Sequence, residues 1–242
     1  MNKTTNLVLS ITFLFFIGSN LSGNAQKLKG NGKVISKETV VNNFTQLSLK
    51  GVFNTILIQG DYPKVLIETD ENLVETIQII EEDGKLTIKS KKGANIKKST
   101  KMNVYVTFQN LDDLEIKGVG NVSTKNMLTF NDALNVEIEG VGNTDLQLTC
   151  SELNAKFAST GNITLDGNVK QACIKNSGIG NINAFNLLVQ DLEINNSGIG
   201  NVKIYAVNTL NIKSSGIGNL EYKGDAEIKD FNISGIGKVR KL

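Results

Sequence analysis

Ser177-Gly178-Ile179-Gly180-Asn181 returns as Ser197-Gly198-Ile199-Gly200-Asn201 and again as Ser215-Gly216-Ile217-Gly218-Asn219. Weaker copies flank these three: Gly118-Val119-Gly120-Asn121, Gly140-Val141-Gly142-Asn143, Ser159-Thr160-Gly161-Asn162 and Gly235-Ile236-Gly237-Lys238. Counted on the last glycine of each copy, beginning at Gly120, the steps are 22, 19, 19, 20, 18 and 19 residues. A period near 20 signals a solenoid and is too short for paired-helix repeats, which need more than about 30 residues.

The residues between the copies decide which solenoid. Leu134, Val136 and Ile138 precede Gly142 at every second position, as Leu153, Ala155 and Phe157 precede Gly161. Later copies carry Leu192, Ile194, Asn196 and Leu210, Ile212, Ser214. Just beyond each Gly-x-Gly-Asn stand Val122, Thr144, Ile163, Ile182, Val202, Leu220 and Val239. A period of two means strand. The Asn also suits a leucine-rich repeat, but no helical or 3₁₀ second leg follows it. Strands recurring every coil with one sense pair in parallel, each coil bonding to its neighbours above and below. The few aliphatics of one coil cannot offset the ordering of about 20 residues. Coils are therefore expected to fold only together.

The glycines supply positive φ or close backbone approach where the chain turns. Asn tolerates the left-handed region and bonds to nearby backbone. Stacked coil on coil, Asn121, Asn143, Asn162, Asn181, Asn201 and Asn219 form a ladder of amides. Two readings stand: a polar strip that binds glycans or another chain, or a turn ladder that satisfies its own hydrogen bonds. The row Val119, Val141, Ile179, Ile199, Ile217 and Ile236 has the opposite parity from the core positions. It is either an exposed apolar stripe or, if the glycines bend the chain, part of the core.

Residues 1–25 read as a secretory signal peptide. Lys3 gives a positive start, residues 7–17 are an apolar run too short to span a bilayer, and Gly23 and Ala25 are small residues ahead of Gln26. Cleavage is expected between Ala25 and Gln26. No cysteine near that bond suggests a lipid anchor, and no later apolar stretch is long enough to span a membrane. Without residues 1–25 the chain keeps 25 basic and 24 acidic residues, a net charge of +1. That balance argues against nucleic acid or an anionic membrane as the main partner.

Residues 26–110 read as β without the period and are expected to pack on, and cap, the first coil; residues 111–242 form the repeat region. Glu81-Glu82-Asp83-Gly84 is a hairpin turn between two strands. Acids cluster from Glu68 to Asp83 and lysines follow from Lys85 to Lys101, which reads as a solvated hairpin with complementary charges. Residues 91–100 are expected to be a mobile loop. At the far end Lys238, Arg240 and Lys241 discourage edge pairing, and a homodimer through the last coil stays open as an alternative.

The S-G-I-G-N repeats follow F-x-x-L-x-L-x-G-V-F-N at residues 44–54, D-x-N-L-V-E-T-I at residues 70–77 and D-G-K-L-T-I at residues 83–88. In this order the elements resemble the head GIN domain family of auto-transporter adhesins from Bacteroidetes-type bacteria. The resemblance covers nearly all of the chain after residue 25. It implies an all-β fold, a right-handed parallel β-helix-like solenoid, here of about seven coils. It also implies a cell-envelope or secreted protein in the periplasm, at the cell surface or outside the cell. Because the chain stops at Leu242 with no translocating barrel after the repeats, self-transport is not expected.

Chemistry is scarce. There is no His to serve as base or metal ligand, and Arg240 is the single Arg. Glu137, Glu139, Asp145, Asp166, Asp191 and Glu193 fall on different phases of the coil, although two carboxylates for glycoside hydrolysis can still converge in space. The Gly-x-Gly-Asn turns open no helix, as a phosphate-binding glycine turn must. Cys150 lies in the inward phase and Cys173 in the outward one, which disfavours a disulfide. Aromatics able to stack on sugars are few in the coils, chiefly Phe157, Phe185, Tyr205 and Tyr222. The expectation is an exported adhesin-like module that binds surface glycan or protein, with no catalytic residues, cofactor or metal. The alternatives are a polysaccharide-active enzyme and a purely structural envelope component.

Overall fold

The computed structural model describes residues 27–242. The expected signal peptide, residues 1–25, and the expected Ala25/Gln26 cleavage site, with Gln26 itself, lie outside the described residues. The chain forms a β-solenoid of about seven turns. Asp113–Val119 pairs in parallel with Ala133–Val141, that strand with Thr144–Thr160, and so on through Ile163–Asn176, Ile182–Asn196, Val202–Ser214 and Glu227–Ile233. The registers join equivalent repeat positions: Val136 to Ala155, Ala155 to Ile174, Ile174 to Ile194, Ile194 to Ile212. Alternate residues therefore stack into columns, and the inward columns make one continuous apolar core.

One inward column changes character along the axis. Ile116, Ile138 and Phe157 are succeeded by Asn176, Asn196 and Ser214, all buried. These polar groups are satisfied internally: Asn176 Nδ2 donates to Asn196 Oδ1 at 2.7 Å, and Asn176 Oδ1 accepts the Gly178 N–H at 3.1 Å. A buried amide is tolerated here because its neighbours in the stack complete its bonds.

The glycine-rich tripeptides stand in two columns. Gly120, Gly142, Gly161, Gly180, Gly200, Gly218 and Gly237 have φ between +137° and +149°. A Cβ at any of the last six would collide with the backbone oxygen of the equivalent glycine one coil below, and at Gly120 with that of Phe53. Parallel coils approach so closely at this corner that only hydrogen fits.

The N-terminal region extends the same stack. Gln46–Lys50 pairs with Asp113–Val119, Asn54–Gln59 with Val122–Thr124, and Val52 bridges Val119. Gly51-Val52-Phe53-Asn54 is thus a rung of the ladder whose second glycine is Phe53, and this substitution hid it from the period. Beneath it Lys85–Ser90 and Met102–Phe108 add a further parallel layer, and antiparallel strands Lys64–Asp70, Val34–Val40 and Ile77–Glu82 close that end. The Asp83-Gly84 turn has positive φ at both residues, as the hairpin signal required.

Two expectations for this region are corrected. Residues 91–100 are not a mobile loop: Asn95–Lys98 pairs in parallel with Lys27–Lys29. The acidic cluster does not mainly face the lysines that follow it. Glu71 binds Lys33 at 2.9 Å and Glu75 binds Lys37 at 2.8 Å, while Glu68 takes Lys101 at 2.8 Å. Asp70 is buried, accepting the Thr100 N–H at 2.7 Å, the Thr100 hydroxyl at 2.9 Å and the Gly32 N–H at 2.7 Å. These bonds, the Thr100 amide foremost, hold its carboxyl below the ordinary range against the opposing effect of burial.

At the opposite end the core is left open. Ile228 and Phe231 continue the columns of Leu210 and Ile212, with a bulge between them, yet Phe231 is 52% exposed.

Candidate binding face

The glycine corner carries outward columns that run the length of the solenoid. Val52, Val119, Val141, Thr160, Ile179, Ile199, Ile217 and Ile236 bridge in register from coil to coil. They are exposed, Ile199 at 49% and Ile236 at 73%, so the row is a ridge on the surface and not part of the core. Glycines on both sides leave Val119, Val141, Ile179, Ile199, Ile217 and Ile236 standing clear of their chain neighbours; Val52 is followed by Phe53 and Thr160 is preceded by Ser159.

Two residues further on, the asparagines stack beside this ridge. Asn54 Oδ1 accepts the Asn121 N–H at 2.9 Å, Asn121 that of Asn143 at 2.9 Å, and Asn143 that of Asn162 at 2.9 Å. Asn162, Asn181, Asn201 and Asn219 continue the chain to Asn181, Asn201, Asn219 and Lys238 at 2.9–3.0 Å. Every carbonyl oxygen of the ladder is thus engaged with the next coil's backbone. The Nδ2 donors of Asn121, Asn143, Asn162, Asn201 and Asn219 find no acceptor among the described residues and remain exposed, while that of Asn181 donates to Asn162 Oδ1 at 3.2 Å.

On the other flank of the ridge the face divides in two. In the early coils it is an ion-pair lattice. Glu115 accepts from Lys117 at 2.8 Å, Lys50 at 3.1 Å and the Ser48 hydroxyl at 2.6 Å, and Lys156 binds Glu137 at 2.6 Å. Burial pushes the Glu115 carboxyl up, but the hydrogen bonds from Lys117, Ser48 and Lys50, with the Lys50 charge, outweigh it and bring it down to about 2. The Lys156 hydrogen bond likewise lowers Glu137.

From the fourth coil onward the carboxylates leave these columns. Lys156, Lys175, Asn195, Lys213 and Asn232 succeed one another in register, and beside them Ser177, Ser197, Ser215 and Ser234 form an exposed hydroxyl column. Together they line an open groove of about 470 Å³ that runs along the axis beside the isoleucine ridge. Lys175 has no ion-pair partner among the described residues, and Lys213 reaches only Asp230, at 3.5 Å. The nearby Glu193 accepts from Asn195 at 2.8 Å. The serine column was visible in the S-G-I-G repeat, but its pairing with a lysine column needed the registers.

The remaining candidates are dispersed. Glu137 and Glu139 belong to the ion-pair lattice, Asp191 accepts from the Thr209 hydroxyl at 2.6 Å, and one Asp166 oxygen is buried without a partner among the described residues. Cys150 is buried and paired in register with Val169, Cys173 faces outward, and both thiols are free; burial pushes Cys150 up to about 11. Phe157 is core, whereas Phe185 lies under Lys223, 4.4 Å from the ring centre, and Lys203. No group of three or more His, Cys, Asp or Glu is placed to hold a metal among the described residues, and none of their helices is long and apolar enough to cross a membrane.

The family described as "Putative auto-transporter adhesin, head GIN domain" matches residues 43–226. The chain belongs to this family. A "putative adhesin" from Bacteroides fragilis is similar in structure at 29% identity and a TM-score of 0.83, covering 89% of this chain and 100% of its own. A second "putative adhesin", from Parabacteroides merdae, is 25% identical with a TM-score of 0.66, covering 89% and 99%. A "putative lipid binding protein" from Parabacteroides distasonis, 22% identical with a TM-score of 0.70 over 90% and 100%, shares the fold. No curated protein matches the chain. In this head GIN domain protein the family match begins at Asn43 and so takes in the Gly51–Asn54 rung that escaped the period.

Proposed function

We propose that the protein is an exported, non-catalytic, adhesin-like module of the cell envelope that binds surface glycan along the face of its later coils. The observation that carries this reading is the change along one face from an ion-pair lattice to an open groove of exposed serines and amides with an unpartnered Lys175. Ser177 and Ser197 donate to main-chain carbonyls, while the Ser215 and Ser234 hydroxyls have no partner among the described residues. Sugars need such a combination: polar groups for their hydroxyls and an apolar ridge for their C–H faces. From the serine column across the ridge to the asparagines is about 13 Å, and the whole ridge from Val52 to Ile236 is about 33 Å tall, so even its full length gives only roughly 400 Å². That is about half of what one partner buries in a stable protein interface. A narrow, long strip suits a linear polymer better than a globular partner.

The absence of catalysis is supported by the state of the acids on this face. Glu115 and Glu137 are both held ionised by lysines, so neither donates a proton near neutrality as a glycosidase acid must. Export is supported by Lys3, the apolar residues 7–17 and the Ala25/Gln26 junction. N-terminal sequencing of the exported protein is expected to begin at Gln26, and a start at Met1 overturns export. Binding is tested by glycan-array screening of the wild type beside an Ile199→Ser, Ile217→Ser variant. The expected result is a set of glycans bound by the wild type and lost in the variant. Glycan binding that survives in the variant overturns this face. Capture of no glycan at all favours a protein partner or a structural role.

A further inference from the structure

We infer that the ligand of this groove is an acidic linear polysaccharide, bearing carboxylate or sulfate groups, that lies along the solenoid axis with anionic groups over Lys175 and Lys213. The inference rests on the reading of this face as glycan-binding and adds the ligand's charge and direction. Its basis is the arrangement of charge on the two outward columns. Lower on the face the lysines meet carboxylates, Lys50 and Lys117 at Glu115 and Lys156 at Glu137, apart from Lys89, which stands in register with Lys50 without an ion-pair partner among the described residues. Between Lys156 and Asn232 the same columns hold Lys175, Asn195, Lys213 and four serines, without one carboxylate.

A cation set among hydroxyls and neutral amides, with its would-be acid absent, leaves a positive site that an anion from outside completes. The nearest carboxylates do not fill it. Glu193 is turned to Asn195, and Asp230 holds Lys213 at 3.5 Å with both groups half exposed, a pair weak enough to exchange for a ligand.

Direction follows from register. Lys175 and Lys213 occupy one column two coils apart, with Asn195 between them, so their roots are about 9.5 Å apart along the axis. A chain with one acidic group on every second sugar, or on each sugar, can present charge to both lysines. The intervening sugar then meets Asn195 and the Ser197 and Ser215 hydroxyls. A ligand lying across the axis reaches only one lysine and soon leaves the groove.

The test is calorimetric titration of the secreted chain with an oligogalacturonate and with a chondroitin sulfate oligosaccharide, each also in its charge-neutralised form, methyl-esterified or desulfated and esterified. At least one anionic probe is expected to bind, about tenfold or more tighter than its neutral form, and more weakly as salt is raised. Lys175→Ala with Lys213→Ala is expected to weaken it by about tenfold or more, with recovery in the double Arg variant and no loss in Lys223→Ala. Lys175, Lys213 and Lys223 are all exposed, so the variants are expected to fold, which thermal melts confirm. Equal binding of neutral and anionic forms overturns the acidic ligand and leaves the glycan reading standing. Anionic binding that ignores the lysine pair overturns the assignment to this groove. Binding of neither form overturns the inference.

Discussion

The side-chain oxygen of Asn181 accepts the main-chain N–H of Asn201, one coil above, at 2.9 Å. The same bond recurs from Asn54 to Lys238, so a turn residue of each coil supplies the acceptor for the next. A side chain here performs the work that the sheet ladder performs elsewhere.

Asn181→Ala removes one such acceptor at an exposed site where water can replace it. A loss of about 1 kcal/mol is expected, or about 2–4 °C in melting temperature for a chain of this length. Asn181→Asp keeps the acceptor and should lose less. Differential scanning calorimetry that finds no change for Asn181→Ala combined with Asn162→Ala rejects a structural role for the ladder.

Two glycines with positive φ separate strain from crowding. Gly84, at φ +76°, has nothing within 4 Å of the place a Cβ would take, so Gly84→Ala should cost about 1–2 kcal/mol. At Gly200, with φ +141°, a Cβ would fall on the Gly180 oxygen, and Gly200→Ala must force adjacent coils away from each other. Its cost should exceed about 4 kcal/mol and prevent a cooperative transition. Equal stability of the two variants contradicts the close stacking.

Glu115 titrates at about 2 when folded, below its ordinary 4.5. Its stabilisation is therefore complete above about pH 4.5 and is lost as pH falls towards 2. Glu115→Gln should destabilise by about 1–2 kcal/mol at pH 7, allowing for solvent screening, and the difference from wild type should vanish near pH 2. Urea melts across this range check it, and a gap that persists at pH 2 rejects the ionic account.

Asp70 ties the first strand to the layer beneath the solenoid through Gly32 and Thr100. In Asp70→Ala those donors lose their acceptor. Limited proteolysis should then cut first near residues 27–33 and 95–100 while the glycine coils stay intact. An unchanged cleavage map shows that other contacts hold the cap.

The repeat region was legible because a parallel stack demands the same residue at the same place in every coil, which leaves a period in the chain. Where one rung breaks the rule the period goes silent, as at Phe53, whose ring is buried where other coils have glycine. The paired strand at Asn95–Lys98 escaped notice for another reason: its partner, Lys27–Lys29, lies far off in sequence and neither has a strong apolar alternation. Asp70 read as one acid among several, since nothing local shows that Thr100 and Gly32 converge on it.

Sequence alone determined that these strands stack, where they turn, and which residues fill the interior, because alternation and period are properties of neighbours along the chain. Tertiary structure alone decided that the valine and isoleucine row faces outward and that Lys175 and Lys213 share a column. It also decided that the two columns beside the ridge hold carboxylates in the early coils and none in the later ones. Those are relations across coils, set by register, and a shift of one residue would have turned each of these side chains to the opposite side of the wall.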